Sequence, residues 1–251
     1  MRNLKLASVL GWQDVRQAYR RSAFGPFWLT AGMVVQIVTM GLVFGLIFKT
    51  EIGEYLPFLA IGIMFWGLIS SSIIEGCQTF ISSEAMIRQL NLDYSVYVVR
   101  TVWRNLVTAA HNFVILPVVL LVFLRFPGLP LLSLIPGFAL LVLNLGWVVW
   151  LLGTLSARFR DMPPIVSSLM TIAFYVTPVM WYPKLIDNNS LAHLLLGLNP
   201  AYHLLQIVRL PLLGEWPTWE NWGVATMLCV IGWTINFFTQ KRVRNMIAYW
   251  V

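Results

Sequence analysis

The 251-residue chain is strongly apolar: 59% of its residues are hydrophobic, 11% are charged, and the mean hydropathy is +0.76. Soluble domains carry roughly 25% charged residues, so this composition excludes an ordinary soluble domain and indicates a single membrane domain over residues 1–251. The net charge of +7 does not require a nucleic-acid partner, because basic residues also mark the cytoplasmic side of membrane proteins, next to anionic lipid. Cys77 and Cys229 lie in apolar runs and indicate buried thiols rather than a disulfide framework.

Residues 1–27 predict an amphipathic helix at the membrane interface. Apolar or small residues recur on one helical face and basic residues on the opposite face, most clearly over residues 11–22. The apolar face consists of Leu4, Ala7, Gly11, Val15, Ala18 and Tyr19.

Six stretches are long and apolar enough to span a membrane, which takes about 20 residues. The apolar runs are continuous rather than alternating, which favours helices over an outer-membrane barrel. The predicted fold is therefore all-α, with a six-helix membrane region over 28–239 and a cytoplasmic tail over 240–251. The spans are 28–48, 56–78, 104–124, 131–157, 163–182 and 222–239.

The distribution of Lys and Arg predicts that both termini are cytoplasmic. With that orientation, thirteen of the 17 basic residues fall on the cytoplasmic side, as the positive-inside rule requires. The four on the outer side are Lys49, Arg125, Lys184 and Arg209.

Two cytoplasmic connections carry candidate coupling residues. Residues 82–90 predict a short helix that begins at serine and pairs Glu84 with Arg88 at i, i+4. The turn Arg158–Asp161 precedes two prolines, so Asp161 is suited to cap the next helix or to pair with Arg158 or Arg160. Either connection is a docking element for a partner ATPase or a plain surface connector.

Polar residues also occur inside the predicted spans. His111 and Asn112 favour hydrogen bonds between helices, and Asn144 and Asn236 favour the same role. Glu75 lies near the inner end of the second span and reaches the interface.

The fifth span ends in aromatic residues, Phe174, Tyr175, Trp181 and Tyr182. Aromatic rings at this depth form an interfacial belt in many membrane proteins, and they also suit a channel in which sugar rings stack on flat surfaces. Thr177-Pro178 predicts a kink in this helix.

The segment from Pro183 to Glu220 contains two apolar pieces too short to span, Leu191–Leu198 and Ala201–Leu213, separated by Asn199-Pro200. They predict a helical hairpin at or dipping into the outer surface, the alternative being a partly ordered external loop.

No phosphate-binding loop, zinc motif or serine-nucleophile motif occurs, so any ATP with its Mg must be bound and hydrolysed by another chain. We expect no cofactor and no metal site in this chain, because its three histidines lie in separate segments.

Taken together, these residues resemble the ABC-2 type permeases that export polysaccharides, especially the O-antigen and lipopolysaccharide branch. The resemblance covers nearly the whole chain, although Leu92-Asp93-Tyr94 departs from the proline often found after the coupling segment. Its specific pieces are Tyr19–Ser22 with Gly25–Trp28, Arg100–Asn105 with His111-Asn112, Arg158–Asp161, Thr177–Trp181, Asn199–His203, Arg209–Gly214 and Ala248–Trp250.

The resemblance implies that two copies form a channel in the bacterial inner membrane and that two ATPase subunits bind beneath it. It implies that the substrate is a polysaccharide on a polyprenyl diphosphate lipid, and that residues Asn199 to Gly214 form outer gate helices. The candidate gate residues are Asn199, Pro200, Tyr202 and Arg209. Two alternatives remain open: an exporter of capsule, teichoic acid, a drug or a small lipid, and a membrane-embedded transferase acting on a lipid-linked sugar with His111 as base.

The predicted topology can be tested by labelling. Cysteine placed at Asp187 or Glu215, in a chain without other reactive thiols, should react with an impermeant reagent in intact spheroplasts because both positions are predicted to face outward. Reaction only after lysis would contradict the orientation.

Overall fold

The computed structural model describes residues 2–20, 25, 27–90, 92–183, 190–244 and 246–251, and within these ranges it is built from helices without strands. Arg21, Ser22, Asn91 and the labelling position Asp187 lie outside the described residues. The helices are α1 Arg2–Ala18, α2 Phe27–Phe48, α3 Ile52–Cys77, α4 Glu84–Gln89, α5 Tyr94–Asn112, α6 Ile115–Val122, α7 Leu134–Arg158, α8 Met162–Val176, α9 Ser190–Gly197, α10 Pro200–Leu212, α11 Trp219–Val243 and α12 Ile247–Trp250, with 3-10 turns at Ile81–Ser83 and Leu129–Ser133.

Helix α3 is the centre of the fold. It contacts α2, α5, α6, α7, α8 and α10. Within its most apolar stretch, 72% of the residues are buried. Glycines let its neighbours approach closely: a Cβ at Gly62 would lie 2.6 Å from the Val179 carbonyl oxygen, and one at Gly76 would lie 3.1 Å from Val149 Cα. Small residues at such contacts are the usual means by which membrane helices associate.

Five helical stretches in the described residues are long and apolar enough to cross a membrane: Phe27–Phe48, Ile52–Cys77, Tyr94–Val122, Leu129–Arg158 and Trp219–Val243. They correspond to five of the six predicted spans. The remaining one, predicted over 163–182, contains α8, which has 15 residues and a length of about 22 Å. Thr177 leaves the helix in an extended conformation because the following Pro178 disfavours the helical one. The predicted kink is therefore wrong: the helix ends there.

The third span begins at Tyr94, ten residues before its predicted start, because Arg100 and Arg104 belong to the helix and are ion-paired. It is interrupted at Phe113, the residue that follows the end of α5. Pro117 cannot donate a backbone hydrogen bond to the carbonyl four residues earlier, so the helical pattern breaks before α6.

Helix α1 confirms the predicted amphipathic helix and lies against α5. Ala7, Gly11 and Val15 are buried, and a Cβ at Gly11 would lie 3.0 Å from the Arg100 carbonyl oxygen. Leu4, predicted to lie on the same apolar face, is exposed rather than packed against the protein.

Helices α9 and α10 confirm that the predicted hairpin is helical rather than a loop. Asn199 caps α10 by accepting hydrogen bonds from the backbone N–H groups of Ala201 and Tyr202. Helix α10 packs against α3, α7 and α11, and eight of its residues are buried. It is thus an internal element rather than a surface hairpin.

Asparagines join α7 to α11, as predicted. Asn144 donates to the Ala225 carbonyl at 3.1 Å, and Asn236 donates to the Trp147 carbonyl at 2.9 Å. In both cases an amide side chain satisfies a backbone carbonyl of the other helix.

The close approach at α3 predicts a position-specific effect of one methyl group. Gly62→Ala should lower the free energy of unfolding by about 1–3 kcal/mol, because the Val179 backbone would have to move. Gly67→Ala is the matched control on the same helix, since its Cβ meets only the flexible end of Met33 and should change stability by about 0.5 kcal/mol or less. Melting temperatures in detergent measure both effects, and equal shifts would contradict the packing.

Candidate functional site

The first predicted coupling element is α4, which follows directly from α3 through a 3-10 turn. Glu84 and Arg88 form the predicted i, i+4 ion pair at 2.8 Å and both remain partly exposed. The predicted serine cap is wrong: Ser82 and Ser83 donate instead to the carbonyls of Gln78 and Thr79, because the chain turns continuously out of α3.

The second predicted coupling element, the turn Arg158–Asp161, also differs from expectation. Asp161 occupies the N-cap position of α8, but its side chain accepts no capping hydrogen bond. The physical reason is that Pro163 and Pro164 stand where the capped N–H groups would be, and proline has none. Within the described ranges Asp161 forms no ion pair with either arginine.

The C-terminal residues bring these two elements together. Arg88 Nη2 donates to the Val251 backbone oxygen at 2.9 Å, and Arg160 Nη2 donates to the Trp250 carbonyl at 3.2 Å. The guanidinium of Arg158 lies over the Trp250 ring, 5.4 Å from its centroid. Sequence reasoning missed this junction, although Ala248–Trp250 was one of the pieces that carry the resemblance.

A charged network joins α1, α3 and α5 at the same end of the molecule. Arg100 binds Asp14 through two hydrogen bonds of 2.6 Å, and Arg104 donates to Glu75 at 2.7 Å. Asn105 Nδ2 also donates to Glu75, at 2.8 Å. Glu75 is therefore part of an interhelical network rather than a side chain that simply reaches the interface.

Sequence signals for this network were present. Asp14 is the only acidic residue among the first 50, and Arg100 and Arg104 are spaced to share one face of a helix. The pairing itself joins residues 86 positions apart, so nothing local could reveal it.

The predicted aromatic residues occupy different environments. Tyr182 lies against Phe58 with ring centroids 4.2 Å apart, and its hydroxyl donates to the Glu54 carbonyl. Phe174 contacts Trp66, and the Trp181 indole N–H donates to the Tyr175 carbonyl at 3.0 Å. Only the Tyr175 ring is widely exposed, at 61%.

Besides Tyr175, which the sequence analysis had named, helix α8 carries hydroxyl groups at Ser168 and Thr171 that sequence reasoning did not identify. Ser168, Thr171 and Tyr175 are exposed and fall on one face at helical spacing. Ile165, Leu169 and Ile172 are exposed on a neighbouring face. An exposed helix with one hydroxyl-bearing and one aliphatic stripe suits a boundary between a polar passage and lipid or another helix.

The end of the molecule that the sequence predicts to face outward contains an arrangement that we call the outer latch, in which α10 holds the end of α8. Asn199 Nδ2 donates to the Thr177 hydroxyl at 2.9 Å, and Arg209 Nη1 donates to the Pro178 carbonyl at 2.7 Å. The Arg209 guanidinium lies over the Phe58 ring of α3, 4.1 Å from its centroid. The motifs Thr177–Trp181, Asn199–His203 and Arg209–Gly214, which are separate in the sequence, therefore meet at this latch.

Arg209 is completely buried, which no sequence pattern indicated. Its Nη2 has no hydrogen-bond partner, and no carboxylate of the described residues pairs with it. Burial lowers the pKa of Arg209 to about 10, so the side chain still carries its charge at neutral pH.

The other two candidate gate residues have simpler roles. Pro200 is the first residue of α10, where a missing N–H costs nothing, and Tyr202 contacts the His203 ring. His203 itself is buried and faces the Gly197 carbonyl and the Asn221 side chain, so it joins α9, α10 and α11.

His111 lacks the surroundings of a catalytic base. Its Nδ1 donates to the Val107 carbonyl of its own helix at 2.7 Å, so the interhelical bond predicted for the His111 side chain is wrong. Asn112 Oδ1 accepts from Thr30 of α2, which confirms the interhelical bond predicted for Asn112. In the part of the chain that the structure describes, no three His, Cys, Asp or Glu side chains are placed to hold a metal ion.

Comparison with known proteins agrees with this architecture. The sequence profile of ABC-2 type transporters matches residues 5–213, most of the chain. The chain belongs to the ABC-2 type transporter family. It is a multi-pass membrane subunit of a transporter rather than an enzyme.

Similar transporter subunits are known from two organisms. The O-antigen export system permease protein RfbA of Myxococcus xanthus is 25% identical over 197 residues, which cover 77% of this chain and 74% of that protein. The protein of the same name from Klebsiella pneumoniae is 25% identical over 190 residues, covering 73% of this chain and 71% of that protein. The similarity thus extends over most of both chains.

The outer latch predicts an unusual order of stabilities for substitutions of Arg209. Arg209→Lys keeps a charge in a fully buried site but loses the guanidinium hydrogen bond to the Pro178 carbonyl. It should therefore lower the free energy of unfolding by about 1.5–3 kcal/mol. Arg209→Met loses the same hydrogen bond but removes the buried charge, so its melting temperature should lie closer to that of the unmodified protein.

Arg125→Lys provides the control, because Arg125 pairs with Glu54 at a partly exposed site and should tolerate the change. A melting temperature for Arg209→Lys equal to that of the unmodified protein would contradict the geometry of the latch.

Proposed function

We propose that this chain is the transmembrane half-channel of an ATP-driven exporter. It moves a polysaccharide linked to a polyprenyl diphosphate lipid from the cytoplasm across the bacterial inner membrane, and O-antigen is the favoured cargo. The observation that carries the proposal is the similarity, over most of the chain, to two proteins that are both named O-antigen export permeases.

In this proposal the complete channel contains two copies of the chain, and α8 contributes to the passage. The exposed residues Ser168, Thr171 and Tyr175 offer hydroxyl groups and one flat ring to a sugar chain without a fixed, tight site. Weak and repeated contacts of this kind let a long polar polymer move. The sixth span is then formed by α8 together with the residues up to 182.

ATP is bound with Mg and hydrolysed by two separate ATPase subunits beneath the channel. Glu84 and Arg88 of α4 and the turn with Arg158, Arg160 and Asp161 are the proposed docking residues, and both termini are cytoplasmic. Support comes from the partial exposure of the α4 ion pair and from the junction that ties both elements to one C-terminal segment.

The outer latch is the proposed gate. Asn199 and Arg209 connect α10 directly to the end of α8, so a displacement of α8 changes the contacts that hold α10 in place. This supports a gate that responds to the passage rather than one that moves independently.

Deletion of the gene from the producing bacterium tests the proposed function. Surface O-antigen should disappear while lipid-linked polymer accumulates inside, and expression of the unmodified chain should restore export. Loss of capsule or teichoic acid instead would change the cargo, and unchanged glycans would favour a drug or small lipid. Absence of polymer inside and outside, reproduced by His111→Ala, would support the transferase instead.

The exposed ring of Tyr175 gives a sharper test of the passage. Tyr175→Leu should slow export of long polymer several-fold at equal protein level, because the stacking surface is lost. Tyr175→Phe keeps the ring and should be milder, and Ile172→Leu on the aliphatic stripe is the matched control. Polymer length distributions at the cell surface measure the effect, and normal export by Tyr175→Leu would remove this residue from the passage.

A further inference from the structure

An open hollow lies at the cytoplasmic end of the molecule, between α4 and α12, with a volume of about 650 Å³. Its wall combines arginine with aromatic and aliphatic side chains, and Tyr249 is 88% exposed. The residues that matter here are Arg88, Leu90, Tyr94, Arg244, Ala248 and Tyr249.

The wall formed by α12 is fixed in place. Ile247 and Val251 are 3% and 5% exposed and belong to a second hydrophobic cluster with Phe80 and Trp150. Together with the hydrogen bonds from Arg88 and Arg160, this packing holds α12 against α4 and α7. Tyr249 is therefore presented on a rigid support rather than on a loose tail.

The position of the hollow argues against lipid as its occupant. Residues 87–92 follow the end of α3 and residues 244–249 follow the end of α11, so this surface lies beyond the ends of these two spans rather than beside them. The hydrocarbon tails of lipids would meet the sides of the helices, whereas a soluble chain beneath the membrane would meet this end.

The charge of the surface indicates the chemistry of its partner. Segments 84–93, 158–161 and 241–251 together hold six arginine or lysine residues and three carboxylates. Two of the carboxylates are already paired, Glu84 with Arg88 and Asp93 with Arg244. The excess of cations therefore lies beside the hollow rather than in it, and together with the exposed ring of Tyr249 it is complementary to an acidic protein surface that carries an apolar side chain.

We infer that this hollow is a docking site for the ATPase subunit, in which Tyr249 and Arg244 contact the ATPase beside α4. The inference rests on the proposed function and extends it, because it adds the C-terminal segment to the docking surface. It also assigns a role to α12, which joins α4 and the turn after α7 into one continuous surface for the ATPase.

Site-specific photo-crosslinking in the full chain, in membranes of the producing bacterium, tests this inference. With p-benzoylphenylalanine in place of Tyr249, we expect an adduct with a chain that contains an ATP-binding phosphate loop, identified by mass spectrometry. The same probe at Glu84 should give this adduct as well. At Trp219, 91% exposed at the other end of the molecule, it should give none.

Charge and shape variants then test the contact itself. Arg244→Glu should lower the yield of the Tyr249 adduct about fivefold or more. Arg242→Glu, the same charge reversal two residues earlier on α11 but outside the hollow, should change it less than about twofold. Ala248→Trp should also lower the yield, because it fills the hollow without altering its charge.

Adducts from position 249 with lipid only, with a second copy of this chain, or with nothing, while position 84 captures the ATPase, would overturn the inference and leave the proposed function intact. Failure to capture an ATPase at both positions would contradict the ATP-driven exporter as well.

Discussion

The burial of most of α3 is the constraint on which the rest of the structure depends. In a membrane, helices gain little from hiding apolar surface from each other, because lipid is equally apolar. They associate through close packing, and α3 permits it through Gly62 and Gly76, where neighbouring backbones leave no room for a side chain. Helices α7 and α8 and the segment after α8 take their positions from these contacts.

Polar groups are placed around this helix according to the solvent at each end. At the end of α3 next to α4, Glu75 is shared by Arg104 and Asn105 and its side chain is 42% exposed, so the paired charge is not fully desolvated and costs little. At the opposite end Arg209 is fully buried, and among the described residues it contacts a carbonyl, an amide oxygen and an aromatic face but no carboxylate. A buried cation of this kind costs stability, which suggests that its retention serves the connection between α10 and α8.

The sequence predicted what depends on local composition and failed where distant residues meet. Five spans follow from uninterrupted apolar runs, and the Glu84 and Arg88 pair follows from helical spacing. The length of α8 was wrong because a hydropathy window extends through Thr177, whose backbone is fixed by the next proline. The Asp161 cap was wrong because Pro163 and Pro164 have no N–H groups to donate to its carboxylate.

The outer latch and the C-terminal junction could not be found from spacing, since their contacts join residues 31 and 163 positions apart. Both nevertheless involve motifs that carry the resemblance to the ABC-2 type permeases. Helix α3 connects them physically. Its inner end continues through a single turn into α4, and its outer half contacts Arg209 through Phe58. From Glu75 to Phe58 the helix runs about 25 Å without a break. In the proposed exporter, a force applied to α4 by a docked ATPase would therefore reach the outer latch through one continuous helix, with no need for a chain of intermediate side chains.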